Sequence, residues 1–146
     1  MFIGRHYHTL ESKGRLAIPP QFRQQLGKKP IVTRGLDGCL FLVPSRTWEK
    51  LINGLRGSPL TKQDTREFIR LMAHDASLVK FDKQGRTLIP KILRSYAKIE
   101  KQVVVAGSLD WIEIWDRVGY HQHMKKNEAR AEEVAERLTE AVKDKG

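Results

Sequence analysis

Glu11-Ser12-Lys13-Gly14-Arg15-Leu16-Ala17-Ile18-Pro19-Pro20-Gln21-Phe22-Arg23 recurs 71 positions later as Asp82-Lys83-Gln84-Gly85-Arg86-Thr87-Leu88-Ile89-Pro90-Lys91-Ile92-Leu93-Arg94. Both copies read acid, two residues, Gly-Arg, two residues, Ile-Pro, and then a further Arg. The match continues with a one-residue shift. Ile31-Val32-Thr33-Arg34-Gly35 answers Val103-Val104-Val105-Ala106-Gly107, and Leu40-Phe41-Leu42 answers Ile112-Glu113-Ile114. A repeat on this scale marks a chain built from two copies of one supersecondary unit. Each copy spans about half of the 146 residues.

Each copy has a legible local structure. A short strand at 7–10 or 78–81 precedes the acid, and Gly14 or Gly85 then supplies the positive φ that a tight hairpin turn requires. Arg15 and Arg86 therefore leave the turn where a second strand begins. Pro19-Pro20 and Pro90 stop that strand and suit the first turn of a helix, where a missing N–H costs nothing. The helix closes at Gly27 in the first copy and near Ile99 in the second. Apolar runs at 31–33 with 40–43, and at 103–106 with 112–115, read as a second hairpin around Asp37-Gly38 and Asp110.

Further helices join and finish the copies. Ser45 is placed to cap a helix carrying Trp48, Leu51, Ile52 and Leu55. Thr61 with Asp64 forms an approximate capping box before Phe68, Ile69 and Met72. Residues 53–59 read as the linker between these two helices. Near the C-terminus Ala131, Val134, Ala135, Leu138, Ala141 and Val142 line one helical face, a stripe that needs a surface to pack on. The expected division is repeat one at 5–47, a helical linker at 48–75, repeat two at 76–119 and a C-terminal helix at 120–146. The expected fold class is α+β, mainly β.

Length and charge bound the partners. A 60-residue unit alone is marginally stable, so two halves sharing one core suit this length. Hydrophobic residues at 40% and charged residues at 30% fit a globular chain, and no apolar run reaches the roughly 20 residues a membrane span needs. Met1 to Leu10 lacks the basic-then-apolar order of a secretory signal. The one cysteine, Cys39, has no internal disulfide partner, which fits a reducing cytoplasm. The net charge of +10 points to a polyanionic partner. Residues 1–60, 61–120 and 121–146 carry +7, +3 and 0, so the basic surplus lies toward the N-terminus.

The turn-strand-helix unit resembles the AbrB/SpoVT swapped-hairpin DNA-binding domain. Two copies in one chain, together with Glu113-Ile114-Trp115-Asp116, resemble the MraZ family, over nearly the whole chain to about Lys125. The resemblance implies two tandem AbrB-like repeats interleaved into one pseudo-two-fold β-barrel with flanking helices, and subunits closed into a ring-shaped homo-oligomer. It also implies a cytoplasmic, nucleoid-associated transcriptional regulator, expected to repress. Such a regulator binds direct repeats of double-stranded DNA upstream of its own cell-division and cell-wall gene cluster. The family pattern has Asp at the first acidic position, whereas this chain has Glu11, which keeps the charge and leaves its role open.

An arginine on a rigid turn can make bidentate bonds to guanine or phosphate, and an adjacent lysine supplies a flexible cation for the DNA backbone. Arg15, Arg86, Lys13 and Lys83 are the candidate DNA contacts, with Lys80, Arg5 and Arg34 in a second rank. The alternative is that Arg15 and Arg86 form ion pairs with Glu11 and Asp82 across the turn; such a pair can also hold an arginine ready for a ligand. Arg23 and Arg94 are expected to cover the helix surface. His6 and His8 share a strand face without a third ligand, and His121 and His123 share no face, so no metal site is expected. Trp48, Trp111, Trp115 and Phe41 are expected to pack in the core rather than stack on bases. Cys39 reads as buried filler. No cofactor is implied. The chain contains no glycine-rich phosphate loop, H-E-x-x-H, paired C-x-x-C or G-x-S-x-G, which weighs against the rival class of an enzyme on a related barrel. A second rival is an AbrB-like antitoxin with a disordered toxin-binding tail.

Overall fold

Along Val103, Val104, Val105 and Ala106 every side chain is buried, because this strand has a hydrophobic core on each side. The computed structural model describes residues 1–145 and contains eight strands, six α-helices and one 3-10 turn, Ser12–Gly14, among them. In the first half lie β1 (Arg5–Thr9), β2 (Arg15–Ala17), α1 (Pro20–Leu26), β3 (Ile31–Arg34) and β4 (Leu40–Val43). Two helices follow, α2 (Ser45–Arg56) and α3 (Gln63–Ala73). The second half repeats the order with β5 (Ser77–Leu78), β6 (Arg86–Leu88), α4 (Lys91–Tyr96), β7 (Gln102–Gly107) and β8 (Ile112–Asp116). The chain then continues as α5 (Arg117–Glu128) and α6 (Ala131–Lys145).

The expected α+β class holds. Strands build the core, but α2, α3, α5 and α6 run to 12, 11, 12 and 15 residues, so the helices carry more of the length than a mainly β fold would give. A six-stranded sheet runs β1-β7-β8-β4-β3-β5, and β2 and β6 form a separate two-stranded ribbon. Strand period decides which core each residue enters. Val103, Val105, Ile112, Ile114, Leu40 and Leu42 face the larger core, which α1 and α4 close with Phe22, Leu26 and Leu93. Val104, Ala106, Trp115 and Cys39 face the smaller one, which α5 covers with Tyr120 and Met124.

The two copies exchange partners. The strands flanking each glycine turn were expected to pair with each other as a hairpin. Instead β1 pairs with β7 of the second copy and β2 pairs with β6. Locally the first turn keeps only Gly14 N–H to the Glu11 carbonyl, 3.1 Å, and Glu11 N–H to the Arg15 carbonyl, 2.8 Å. Beyond the ribbon, Ile18 N–H donates to the Gly85 carbonyl at 3.2 Å and Ile89 N–H to the Gly14 carbonyl at 2.9 Å. Three-residue strands cannot satisfy their own backbone groups, so each copy completes the other.

Several local expectations are corrected. Ser45 does not cap α2; its hydroxyl donates to the Lys29 carbonyl at 2.7 Å and so ties that helix to the loop between α1 and β3. Lys62, not Thr61, is the N-cap of α3, without a side-chain cap bond. The second-copy strand is only Ser77–Leu78, and α4 stops at Tyr96 rather than near Ile99. The single C-terminal helix expected from 120 is two helices. The first begins at Arg117, where the Asp116 carboxylate accepts the Gly119 N–H at 3.3 Å. Arg23 and Arg94 do not lie over the helix surface: each folds back, and its Nε donates to the carbonyl of Ile18 or Ile89 at 3.0 Å. Those carbonyls lie just ahead of the helices, where no backbone donor reaches them.

Leu16, at the centre of the ribbon, is fully buried against the larger core. Leu16→Ala is expected to cost about 2–5 kcal/mol of stability in urea unfolding, through lost contacts and the cavity left behind. A loss below about 1 kcal/mol would show that the ribbon does not anchor the two copies.

Candidate nucleic-acid interface

The register of the ribbon fixes its two faces. Arg15 stands opposite Leu88, Leu16 opposite Thr87, and Ala17 opposite Arg86. Directly opposed residues share a face and neighbours along a strand alternate. The central pair, Leu16 and Thr87, points inward and is buried. The other four therefore share the outward face, where Arg15 and Leu88 are exposed while Ala17 and Arg86 are half-buried. Both Gly-Arg arginines thus meet on one surface although 71 positions separate them.

Carboxylates hold this pair in place. Asp82 Oδ1 accepts the backbone N–H groups of Gln84 and Arg86, both at 2.9 Å, and so fixes its own turn. Its Oδ2 takes Arg86 Nε at 3.0 Å and Arg15 Nη1 at 3.2 Å. Glu11 takes the corresponding place in the first copy but caps no backbone N–H there. Its longer side chain reaches across to Arg86 Nη1 at 3.1 Å. Compared with Asp82, Glu11 therefore keeps a cross-copy charge contact and lacks the cap. Ion pairing does occur, in a rearranged form. Arg15 pairs with Asp82 of the other copy rather than with Glu11, and Arg86 lies between both carboxylates. Arg15 has one anionic partner and is the more exposed arginine, with 48% of its side chain accessible against 28% for Arg86.

The same contacts tune both charges. The Arg86 backbone N–H, followed by its guanidinium and the Gln84 N–H, holds the Asp82 carboxyl below the usual aspartate range. Hydrogen bonds that its guanidinium donates to Asp82 and Glu11 push Arg86 up from its already high value. Both shifts favour the charged forms of Asp82 and Arg86.

The remaining candidates divide into two groups. Lys13, with a φ of 66°, and Lys83 are exposed on the two turns. Lys80 lines a shallow cleft together with Arg15, Phe81, Asp82, Arg86 and Leu88. Arg5 and Arg34 are engaged elsewhere. Arg5 Nη1 donates to the Tyr120 hydroxyl at 3.3 Å, beside α5. Arg34 Nε bonds Asp75 Oδ2 at 2.6 Å, and its Cζ lies 4.9 Å from the Tyr96 ring centroid. Leu88 was not singled out from the sequence, yet it presents an apolar side chain, 56% exposed, beside Arg15. Strand alternation counted from Gly85-Arg86 is the signal that would have found it.

The aromatic residues expected in the core divide. Trp115 is buried in the smaller core and Phe41 packs against it, whereas Trp48 and Trp111 are half-buried outside both cores, the Trp111 ring lying 5.5 Å from that of Phe41 at a tilt of 52°. Cys39 is fully buried, its thiol donating to the Leu36 carbonyl at 3.2 Å, and burial pushes its pKa far up.

A carboxyl titration tests the turn. Asp82 is expected to protonate below the ordinary aspartate value of about 3.9, as followed by carboxyl-carbon NMR. Because the folded value is the depressed one, the stability it contributes is present at neutral pH and is lost as pH falls through that value. In Arg86→Ala the Asp82 midpoint should move back toward 3.9; an unmoved midpoint would rule out the pairing described.

Comparison with known proteins agrees with this arrangement. The family model described as "MraZ protein, putative antitoxin-like" matches the chain twice, over residues 1–71 and 72–142. The transcriptional regulator MraZ of Carboxydothermus hydrogenoformans is 42% identical over 140 residues, covering 96% of this chain and 98% of that protein. Its namesake in Lactiplantibacillus plantarum is 44% identical over 138 residues, covering 94% and 98%. That of Desulforamulus reducens is 41% identical over 142 residues, covering 97% and 100%. With both halves matched and relatives of this identity aligned end to end, the chain belongs to the MraZ family.

Proposed function

We propose that this protein is a sequence-specific DNA-binding transcriptional regulator, acting as a repressor on direct repeats upstream of its own cell-division and cell-wall gene cluster. The observation that carries the reading is the outward face of the ribbon, where Arg15 and Arg86 sit together with Lys13, Lys83 and Lys80 close by. The relatives' printed name, transcriptional regulator, supports the same reading and speaks against an enzyme.

The carboxylates do not block such a site. An exposed ion pair is weak in water, whereas a bidentate arginine contact to a base is among the stronger specific contacts made to DNA. Arg15 can therefore leave Asp82 for a base edge or phosphate, and until then the pair keeps it extended over the groove-facing surface. Arg86, gripped by two carboxylates, is the stiffer of the two. Leu88 offers an apolar contact of the kind a thymine methyl accepts. Lys13, Lys83 and Lys80 supply backbone charge neutralisation, and Arg5 and Arg34 belong to an outer rank that steers the duplex.

We read the exchanged strands as the swapped-hairpin, pseudo-two-fold barrel of the AbrB-like fold, supported by the matching registers around Leu16 and Thr87. A ribbon of this size spans only a few base pairs, so specificity at roughly 10⁻⁸ M calls for several copies on spaced repeats. A closed ring would provide them through one repeated interface. The uncovered stripe of α6 supports self-association: every residue from Ala131 to Asp144 is exposed, Val134, Leu138 and Val142 among them. The same ordered helix weighs against the antitoxin reading, which needs a disordered toxin-binding tail. The assembly acts in the cytoplasm, on the nucleoid.

Selection from a random duplex pool by the purified protein should enrich a short repeated sequence; an unenriched pool would mean architectural binding. On the enriched duplex, Arg15→Ala and Arg86→Ala should each weaken binding about ten- to hundredfold while circular dichroism stays unchanged. Affinity should fall steeply with salt as condensed counterions are released, and a flat salt titration would exclude phosphate contact. Light scattering of the DNA-free protein should give several times the chain mass of 16.8 kDa. A monomer that binds one repeat as tightly as several would overturn the ring.

A further inference from the structure

We infer that Arg23 and Arg94 are positioning residues for the DNA-facing turns, each locking the turn of the opposite copy. The part of this inference that concerns DNA rests on the function proposed above. The lock itself does not.

The geometry is reciprocal. A Cβ placed on Gly14 would lie 2.7 Å from Arg94 Cζ and 2.9 Å from its Nε. One placed on Gly85 would lie 2.4 Å from Arg23 Cζ and 2.5 Å from its Nη1. Each guanidinium therefore rests against the bare backbone of the other copy's turn glycine. A Cβ at either position would push the guanidinium aside, so glycine serves both positions in two ways. It meets the positive φ, 82° and 77°, and leaves the arginine room to approach.

Each arginine is also tied at its own end. Arg94 Nε donates to the Ile89 carbonyl at 3.0 Å, and Ile89 N–H donates to the Gly14 carbonyl at 2.9 Å. Arg23 and Ile18 repeat the circuit onto Gly85 at 3.0 and 3.2 Å. The residue thus held comes immediately before Arg15 or Arg86. A displaced glycine would swing the recognition arginine away from its partner carboxylate. A planar guanidinium can donate through Nε and lie flat on a peptide at once, which the single ammonium of lysine cannot do. Both arginines are half-buried under the ribbon, so they are poorly placed to reach phosphate themselves.

The test uses the full chain and three variants, Arg94→Lys, Arg94→Gln and Gly14→Ala. In the DNA-free protein, hydrogen exchange at the amides of Gly14, Arg15 and Ile89 should quicken about tenfold in both arginine variants, while the 82–86 turn changes little. Arg23→Lys should give the mirror pattern, loosening the 82–86 turn. If each variant loosens only its own helix, the lock is overturned. A thermal double-mutant cycle keeps the question decidable if the turn is already too mobile to follow. Gly14→Ala should lower the Tm less in the Arg94→Gln background than in the unsubstituted chain, and strict additivity would overturn the inference.

With a labelled duplex recovered from the random pool by the unsubstituted chain, Arg94→Gln and Arg94→Lys should both bind about tenfold more weakly. Restoration by lysine would make Arg94 a direct phosphate contact and overturn the positioning role. If exchange and the thermal cycle behave as expected while Arg15→Ala leaves duplex binding intact, the lock stands and the placement of the DNA site fails instead.

Discussion

The pairing of β2 with β6 is the constraint on which the rest depends. Neither three-residue strand has a partner within its own copy, and each turn glycine accepts its outer hydrogen bond from an isoleucine of the other copy. Because these bonds are reciprocal, neither turn can settle into its shape until both copies are in place. The same exchange places Leu16 in the common core and turns Arg15 and Arg86 outward together. One set of backbone bonds therefore joins the halves, buries the centre of the ribbon and assembles the charged face.

The face combines rigidity with availability. Asp82 spends one carboxylate oxygen on its own turn and the other on both arginines, so the turn and the guanidinium groups are fixed by a single side chain. Glu11 reaches only outward. The two turns therefore differ in charge grip: Arg86 is held twice and Arg15 once. On a DNA site without internal symmetry such a difference is useful, since the two arginines need not meet the same base or the same phosphate.

Much of this was legible in the residues. Gly14 and Gly85 announce positive φ, and Gly27 ends α1 with a φ of 69°, because those backbone shapes leave few alternatives. Burial of Trp115 in β8 and of Cys39 just before β4 followed from their apolar neighbours. Pairing partners were less legible, because strands of two or three residues such as β2, β5 and β6 carry too little pattern to fix a register. Ser45 reads as a cap because its hydroxyl stands at a helix start. In the folded chain the nearest unsatisfied group is the Lys29 carbonyl, which sequence distance conceals. The roles of Arg23 and Arg94 are hidden for a similar reason. Both stand nine positions after the turn glycine of their own copy, a regularity visible in the repeat, but the glycine each one covers belongs to the other copy.

The central claim is that both repeated turns form one DNA-reading surface. Amide hydrogen exchange of the full chain, with and without a saturating duplex selected from the random pool, tests it most directly. The account predicts that protection appears jointly at 11–17 and 82–88, on both strands of the ribbon, with little change along α2 and α3. Protection confined to one turn, or appearing on α2 and α3 while the ribbon stays unchanged, would contradict it.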